Sequence, residues 1–251
     1  MLAELVGGDS RIHRLDPRVK IVIVSLFSVL VAILNRFVVL TSALALGLFI
    51  VVLAGIPMKV LVRRLVPLNV FILLLWFFLP FSYEGEPLFS LGPLVGTREG
   101  VLYAARISIK SNAIMALLIA LVVSTSVFAL GHALGALKVP AKIVYLLFFT
   151  LRYTHVIHQE YLRLMNAMKV RGFRPGTNMH TYKTLAYLVG MLLVRSLDRA
   201  ERVRKAMLCR GFTGNLQSLS TFSIKGLDVI SLIVMLALIV ALGLLEWTKM
   251  V

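Results

Sequence analysis

A chain of 251 residues that is 59% hydrophobic, with a mean hydropathy of +0.93, is more apolar than an ordinary soluble domain. Its apolar residues fall in long unbroken runs, which excludes a water-soluble globule. The 27 Lys and Arg against 11 Asp and Glu, a net +16, then belong to the flanks of membrane spans rather than to a nucleic-acid surface.

The polar stretch Met1–Lys20 carries Arg11, Arg14, Arg18 and Lys20 against Glu4, Asp9 and Asp16, and no small-residue cleavage site follows the first apolar run. That pattern predicts a retained first membrane helix and no cleaved signal peptide. A span needs roughly 20 mostly apolar residues. Val19–Leu34 is a slightly short first span, Asn35-Arg36 a tight turn, and Phe37–Ile56 a full second span. Leu65–Phe81 is a third, which Pro67, Asn69 and Pro80 predict to be kinked or broken. Asn112–Leu130 is a fourth, extendable backwards through Arg106 and Lys110, and Ile230–Leu245 is the last. The half-length runs Ile143–Leu151 and Leu185–Val194 read as parts of amphipathic helices. The expected fold is all-α and polytopic, with about five or six transmembrane helices.

Charge orients the chain. The Pro57–Arg64 loop carries Lys59, Arg63 and Arg64 without an acid, whereas the Ser82–Gly100 loop carries Glu84, Glu86 and Glu99 against Arg98. The positive-inside rule therefore places the N-terminus and the first of these loops in the cytoplasm and the second outside. Three segments follow: a membrane domain of four spans (residues 1–130), a basic cytoplasmic region (131–227) and a C-terminal span (228–251).

The basic region holds 15 Lys and Arg against only Glu160, Asp198 and Glu201, which is most of the protein's net charge. Leu193, Leu197, Ala200, Val203 and Met207 share one helix face, with Arg195, Arg199, Arg202 and Lys205 off it. Such a helix suits a bilayer surface or a partner's groove. The region also repeats itself. Residues 161–173 and 200–212 are identical at six of 13 positions, Arg163/Arg202, Ala167/Ala206, Met168/Met207, Arg171/Arg210, Gly172/Gly211 and Phe173/Phe212. Each copy predicts a helix closed by a left-handed glycine, with an arginine in its last turn complementing the dipole. Two matched tips, each carrying an arginine whose planar fork can hold a carboxylate and an aromatic beside it, suit two identical partner sites.

These features resemble the transmembrane (T) component of energy-coupling-factor importers, the CbiQ/EcfT family of ABC-type transporters. The motif Leu15-Asp16-Pro17-Arg18-Val19-Lys20 resembles the family's entry to its first span, and Val139-Pro140, Leu151-Arg152-Tyr153 and Gln159-Glu160 resemble the approach to its first coupling helix. The two Arg-Gly endings correspond to the family's paired Ala-Arg-Gly motifs, with Val170 and Cys209 in place of alanine. Cys209-Arg210-Gly211 is more similar to the cobalt/nickel branch than to the vitamin branch. The resemblance implies a non-catalytic subunit of a bacterial or archaeal inner membrane that binds no cofactor itself. Two copies of a cytoplasmic ABC ATPase would hold ATP and Mg. A capture membrane subunit, in the cobalt branch with a small accessory membrane subunit, would hold the metal that feeds cobalamin synthesis. By the same resemblance, Val170, Arg171, Gly172 and Phe173, with Cys209, Arg210, Gly211 and Phe212, form the ATPase-coupling sites.

Other residues invite weaker readings. His155 and His158 lie on one helix face, but Glu160 is off it and Cys209 distant, so interfacial histidines are expected rather than a metal site. His13, His132 and His180 stand alone in the sequence. Arg106 and Lys110, four apart, are expected to snorkel to the outer interface. A membrane enzyme acting on lipid phosphates is the rival from another class. The five assigned spans contain no Asp or Glu, however, and no Gly-x-Ser-x-Gly, His-Glu-x-x-His or P-loop motif occurs.

Overall fold

The computed structural model describes residues 15–82, 87–91, 94–123, 125–212 and 226–248. Eight α-helices and one β-hairpin are found among them: α1 (Pro17–Ile33), α2 (Phe37–Leu53), α3 (Met58–Ser82), β1 (Pro87–Leu91), β2 (Leu94–Thr97), α4 (Arg98–Leu118), α5 (Val127–Ala136), α6 (Ala141–Val170), α7 (Met179–Cys209) and α8 (Gly226–Trp247). Glu84, Glu86, His13 and the N-terminal charges before Leu15 lie outside the described residues. The chain divides into two compact units, Met1–Ala133 with Phe222–Val251, and Leu134–Thr221.

Among the described residues, three helices are long and apolar enough to cross a bilayer: α3, α4 with its continuation to Val123, and α8. Helices α1 and α2, at 17 residues each, stand at the short end of the spanning range. The class is all-α, and the hairpin that precedes α4 is an addition that the sequence did not announce.

Several expected boundaries are corrected. The third span is not broken. Helix α3 runs without interruption through Pro67 and Pro80. Asn69 bonds the carbonyl of Leu65 (3.1 Å) and exchanges amide bonds with Asn112 of α4 at 3.2 and 3.1 Å. Trp76 adds a 2.9 Å bond to Ser108. Such polar pairs join membrane helices where apolar surface alone gives no preference over lipid. The fourth span starts at Arg98 rather than Asn112 and ends in a π-helical turn, Ile119–Val123, so Val127–Leu130 belongs to the separate helix α5. Helix α8 extends past both ends of its apolar run and takes in Asp228 and Glu246, so this span does carry acids.

The core of the first unit joins α1, α2, α4 and α8, with Phe27, Leu40 and Leu117 fully buried. Small residues let α2 and α4 approach closely: a side chain at Gly47 would meet the carbonyl of Ala113 at 3.1 Å. At the other end of α4, Thr97 caps the helix by accepting from the Gly100 amide, and its hydroxyl donates to the Pro80 carbonyl at 3.2 Å.

Arg106 and Lys110 do not simply snorkel. Lys110 donates to the Ala32 carbonyl (2.8 Å) and to Asn35 Oδ1 (3.2 Å), so it closes the C-terminus of α1. The Arg106 guanidinium lies 5.2 Å from the centre of the Phe37 ring, and Glu246 accepts from the Asn35 amide at 3.0 Å. The α1–α2 corner is thereby held from α4 and α8 together. Lys110→Met is expected to cost about 1.5 kcal/mol, the low end for bonds to a charged donor. A melting experiment in detergent should read this as a fall of about 3–6 °C.

Candidate functional site: two Arg-Gly helix ends

The second unit is built on α6 and α7, of 30 and 31 residues. Helix α6 starts after Pro140, whose fixed φ suits a helix entry, and α7 starts after Asn178. Each ends on the Arg-Gly-Phe triplet in the same geometry. Gly172 and Gly211 take φ of +82° and +79°. The Gly172 amide donates to the Lys169 carbonyl (3.0 Å) and Phe173 to Met168 (3.1 Å), while Gly211 donates to Leu208 and Phe212 to Met207, both at 3.0 Å. This is the Schellman pattern, in the same register twice. A side chain at either glycine would meet open space, so the left-handed backbone requires glycine there, not crowding.

Capping alone does not mark these tips, because α5 closes with the same bonds around Lys138 at φ +63°. The exposed residues distinguish them. Arg171, Arg210 and Cys209 are exposed, and Val170 is 89% exposed. The phenylalanines differ from expectation: Phe173 and Phe212 are half-buried, and Phe212 turns back into the groove between the helices. At the α7 tip the arginine is therefore presented beside Cys209 with the aromatic turned inward.

The helices cross near their midpoints. Glu160 of α6 accepts from Arg195 of α7 there, with Arg163 at 3.5 Å and Val156, Leu192 and Arg199 around it. On one side of the crossing, a groove of about 620 Å3 separates the N-terminal half of α6 from the C-terminal half of α7. Phe149, Tyr153 and Ile157 line one wall, and the predicted stripe Leu197, Ala200, Val203 and Met207 the other. Arg199 and Arg204, off that stripe, also reach the groove. Because the end of α7 runs along the start of α6, the two tips lie at opposite ends of the pair. At 1.5 Å per residue, Arg171 stands roughly 16 Å and Arg210 roughly 22 Å beyond the crossing.

The hydrogen bond from Arg195 holds the Glu160 carboxyl below its ordinary pKa; burial opposes it, and the charges of Arg195, Arg163 and Arg199 add to the lowering. Since the folded-state value is depressed, the pair's stabilising contribution is complete above the ordinary glutamate range of about 4.3. It is lost as pH falls through the lower folded value. A Val170→Cys variant, with the native Cys209, places one spin label at each tip. The tip-to-tip distance distribution should stay constant from pH 8 to pH 5 and broaden in stronger acid. Glu160→Gln should broaden it already at pH 7.

The histidines do not converge. The Gln159 amide nitrogen lies 3.0 Å from His155 Nε2, and His158 stacks on Tyr161. Among the described residues no group of three His, Cys, Asp or Glu could hold a metal ion. Replacing His155 and His158 by alanine is expected to leave the metal content of the purified protein, read by elemental analysis, unchanged.

The N-terminal motif forms the entry to α1. Asp16 caps the helix by accepting from the Arg18 amide at 2.9 Å, with Pro17 in the first turn. Lys20 points inward and is fully buried. Sequence reasoning missed Asp228 and Thr125, which face this motif. Their signal was an acid at the edge of an apolar run and a Ser-Thr-Ser break inside one.

An apolar helical unit of the kind that inserts in a membrane, continuous in sequence with a basic crossed-helix pair, defines a membrane protein. The profile of the family described as "CbiQ: Cobalt transport protein" matches residues 8–221. The energy-coupling factor transporter transmembrane protein EcfT of Acidaminococcus fermentans is 28% identical, over 98% of this chain and 96% of its own length. That of Heliobacterium modesticaldum is 30% identical over 85% and 84%, and that of Bacillus subtilis 28% over 85% of each. The chain belongs to the CbiQ/EcfT family of transporter membrane components. Members of this family are multi-pass membrane proteins of transport systems and not enzymes themselves.

Proposed function

We propose that this chain is the transmembrane coupling subunit of an ATP-driven importer of the energy-coupling-factor type. Its N-terminus and the α6–α7 unit face the cytoplasm of a bacterial or archaeal cell. Arg171 and Arg210, with Val170, Gly172, Cys209 and Gly211 shaping the tips, seat in grooves on two copies of an ABC ATPase. Those ATPases bind ATP and Mg, and this subunit passes their motion to a separate membrane protein that captures the cargo. The observation that carries the reading is the pair of identically closed helix ends, each with an exposed arginine, at opposite ends of a crossed pair. One tip per ATPase copy is the arrangement such a geometry serves.

The proposed cargo is a cobalt ion destined for cobalamin synthesis. The description of the matching family and the Cys209-Arg210-Gly211 ending support this. Tagging the protein, solubilising native membranes gently and identifying what co-purifies tests both levels. A P-loop ATPase at about two copies per chain and a second polytopic protein are expected, the latter able to bind 57Co2+. A second protein that binds nickel or a vitamin instead would overturn the cargo and keep the coupling role. Purification of the chain alone, with no ATPase, would overturn the role.

A further inference from the structure

The buried lysine at the start of α1 is placed where no lipid-facing role explains it. A fully buried ammonium is costly unless it is paired and hydrogen-bonded, and an apolar side chain would fill the same space at lower cost. Lys20 donates to Thr125 Oγ1 at 3.0 Å. Thr125 lies in the short break between the π-helical turn and α5, and its hydroxyl donates to the Leu121 carbonyl within that turn at 2.9 Å. Next to this, Asp228 at the start of α8 is 4% exposed and accepts from the Asp16 amide at 2.9 Å, while its charge acts on Lys20.

The chain passes between its two units at only two places, after Ala133 and before Phe222. Thr125 lies shortly before the first passage and Asp228 shortly after the second. One charged cluster at the foot of α1 therefore holds both strands of chain that lead to the α6–α7 unit. A π-helical turn, whose looser hydrogen bonding often marks functional positions, stands just before the break that holds Thr125.

We propose that Lys20 is a positioning residue of the coupling reaction. With Thr125, Asp16 and Asp228 it forms the anchorage through which displacement of the α6–α7 unit is drawn into α1 and the membrane helices. The inference rests on the coupling role proposed above. Directional, hydrogen-bonded charge suits this task better than apolar packing, because it fixes one partner in one geometry.

The test uses the purified complex with its partner ATPases in lipid nanodiscs. It compares deuterium uptake of peptides covering α1 and residues 119–133 with and without ATP and vanadate. The wild type should show an ATP-driven change in both peptides. Lys20→Met should retain subunit composition and ATP hydrolysis within about twofold, yet lose the ATP-driven change in α1 at least fivefold. Lys20→Arg should restore it. Thr125→Val, which keeps the shape and removes the acceptor, should behave as Lys20→Met does, and serves where the latter does not assemble. Persistence of the ATP-driven change in Thr125→Val, its absence in wild type, or loss of hydrolysis and assembly in step with it would overturn the inference. A wild-type preparation without ATPase would instead sink the coupling role on which the inference rests.

Discussion

On the coupling role proposed above, reversing the charge at both helix tips, Arg171→Glu with Arg210→Glu, is expected to lower ATP-driven uptake by at least about tenfold while leaving the protein inserted and folded. Both side chains are exposed and neither tip contributes to the buried core, so the fold has little to lose. An interface has much more at stake. Truncating one partner of a buried, hydrogen-bonded charge pair typically costs about 2–5 kcal/mol, and each 1.4 kcal/mol is tenfold in affinity. Reversal adds repulsion to that loss, and in the proposed arrangement each tip meets its own ATPase copy. Single variants should fall between, and lysine at both positions should recover only part of the activity, because an ammonium lacks the planar fork. Uptake in vesicles alongside co-purification of the ATPase checks the result. Wild-type uptake by the double reversal would remove the tips from the mechanism.

The largest effect on stability is expected at Gly100. An added side chain there would stand 2.7 Å from the Leu79 carbonyl and 2.8 Å from Pro80 Cα, both backbone atoms that cannot swing aside. Gly100→Val should therefore force α3 and α4 apart, break the Thr97 cap and cost about 3 kcal/mol, the upper part of the overpacking range. That corresponds to roughly 6–12 °C in the melting temperature. Gly190 in α7 makes the opposite case. Nothing lies within 4 Å of its would-be side chain and its backbone is helical, so Gly190→Ala should stabilise by about 0.5–1 kcal/mol. Thermal melts of the two variants in one detergent read both signs. Equal melting temperatures would mean that the close approach at Gly100 does not hold in the folded protein.

Much of this was legible in the sequence because it is local. The 39-residue offset repeat marked both helix ends, and the left-handed glycines, helix dipole and missing hydrophobic breaks follow from neighbours in the chain. What escaped was pairing at long range. Lys20 beside Asp16 looks like an ordinary flanking charge, and nothing nearby says that its partner is Thr125, more than a hundred positions on. Lys110 read as a snorkelling residue because its acceptors belong to the end of another helix. Periodicity showed that Leu197, Val203 and Met207 share a face, but not that Phe149 and Tyr153 stand opposite. The half-buried Phe212 was misplaced for the same reason. The fourth span was misdrawn because the π-helical turn and the Ser-Thr-Ser break lie inside one continuous apolar run, where hydropathy has no edge to report.

Helix termini ordinarily fray, since their last carbonyls lack partners and their opening free energy is close to zero. At both tips here two of those carbonyls are tied back by the amides of glycine and phenylalanine. A rod that must be pushed or pulled at its end works only if that end does not unwind under load. Under the coupling role proposed above, the sealed termini of α6 and α7 would make each long helix a stiff lever arm, carrying a thrust received at its arginine to the crossing at Glu160 and Arg195 without dissipating it in unravelled backbone.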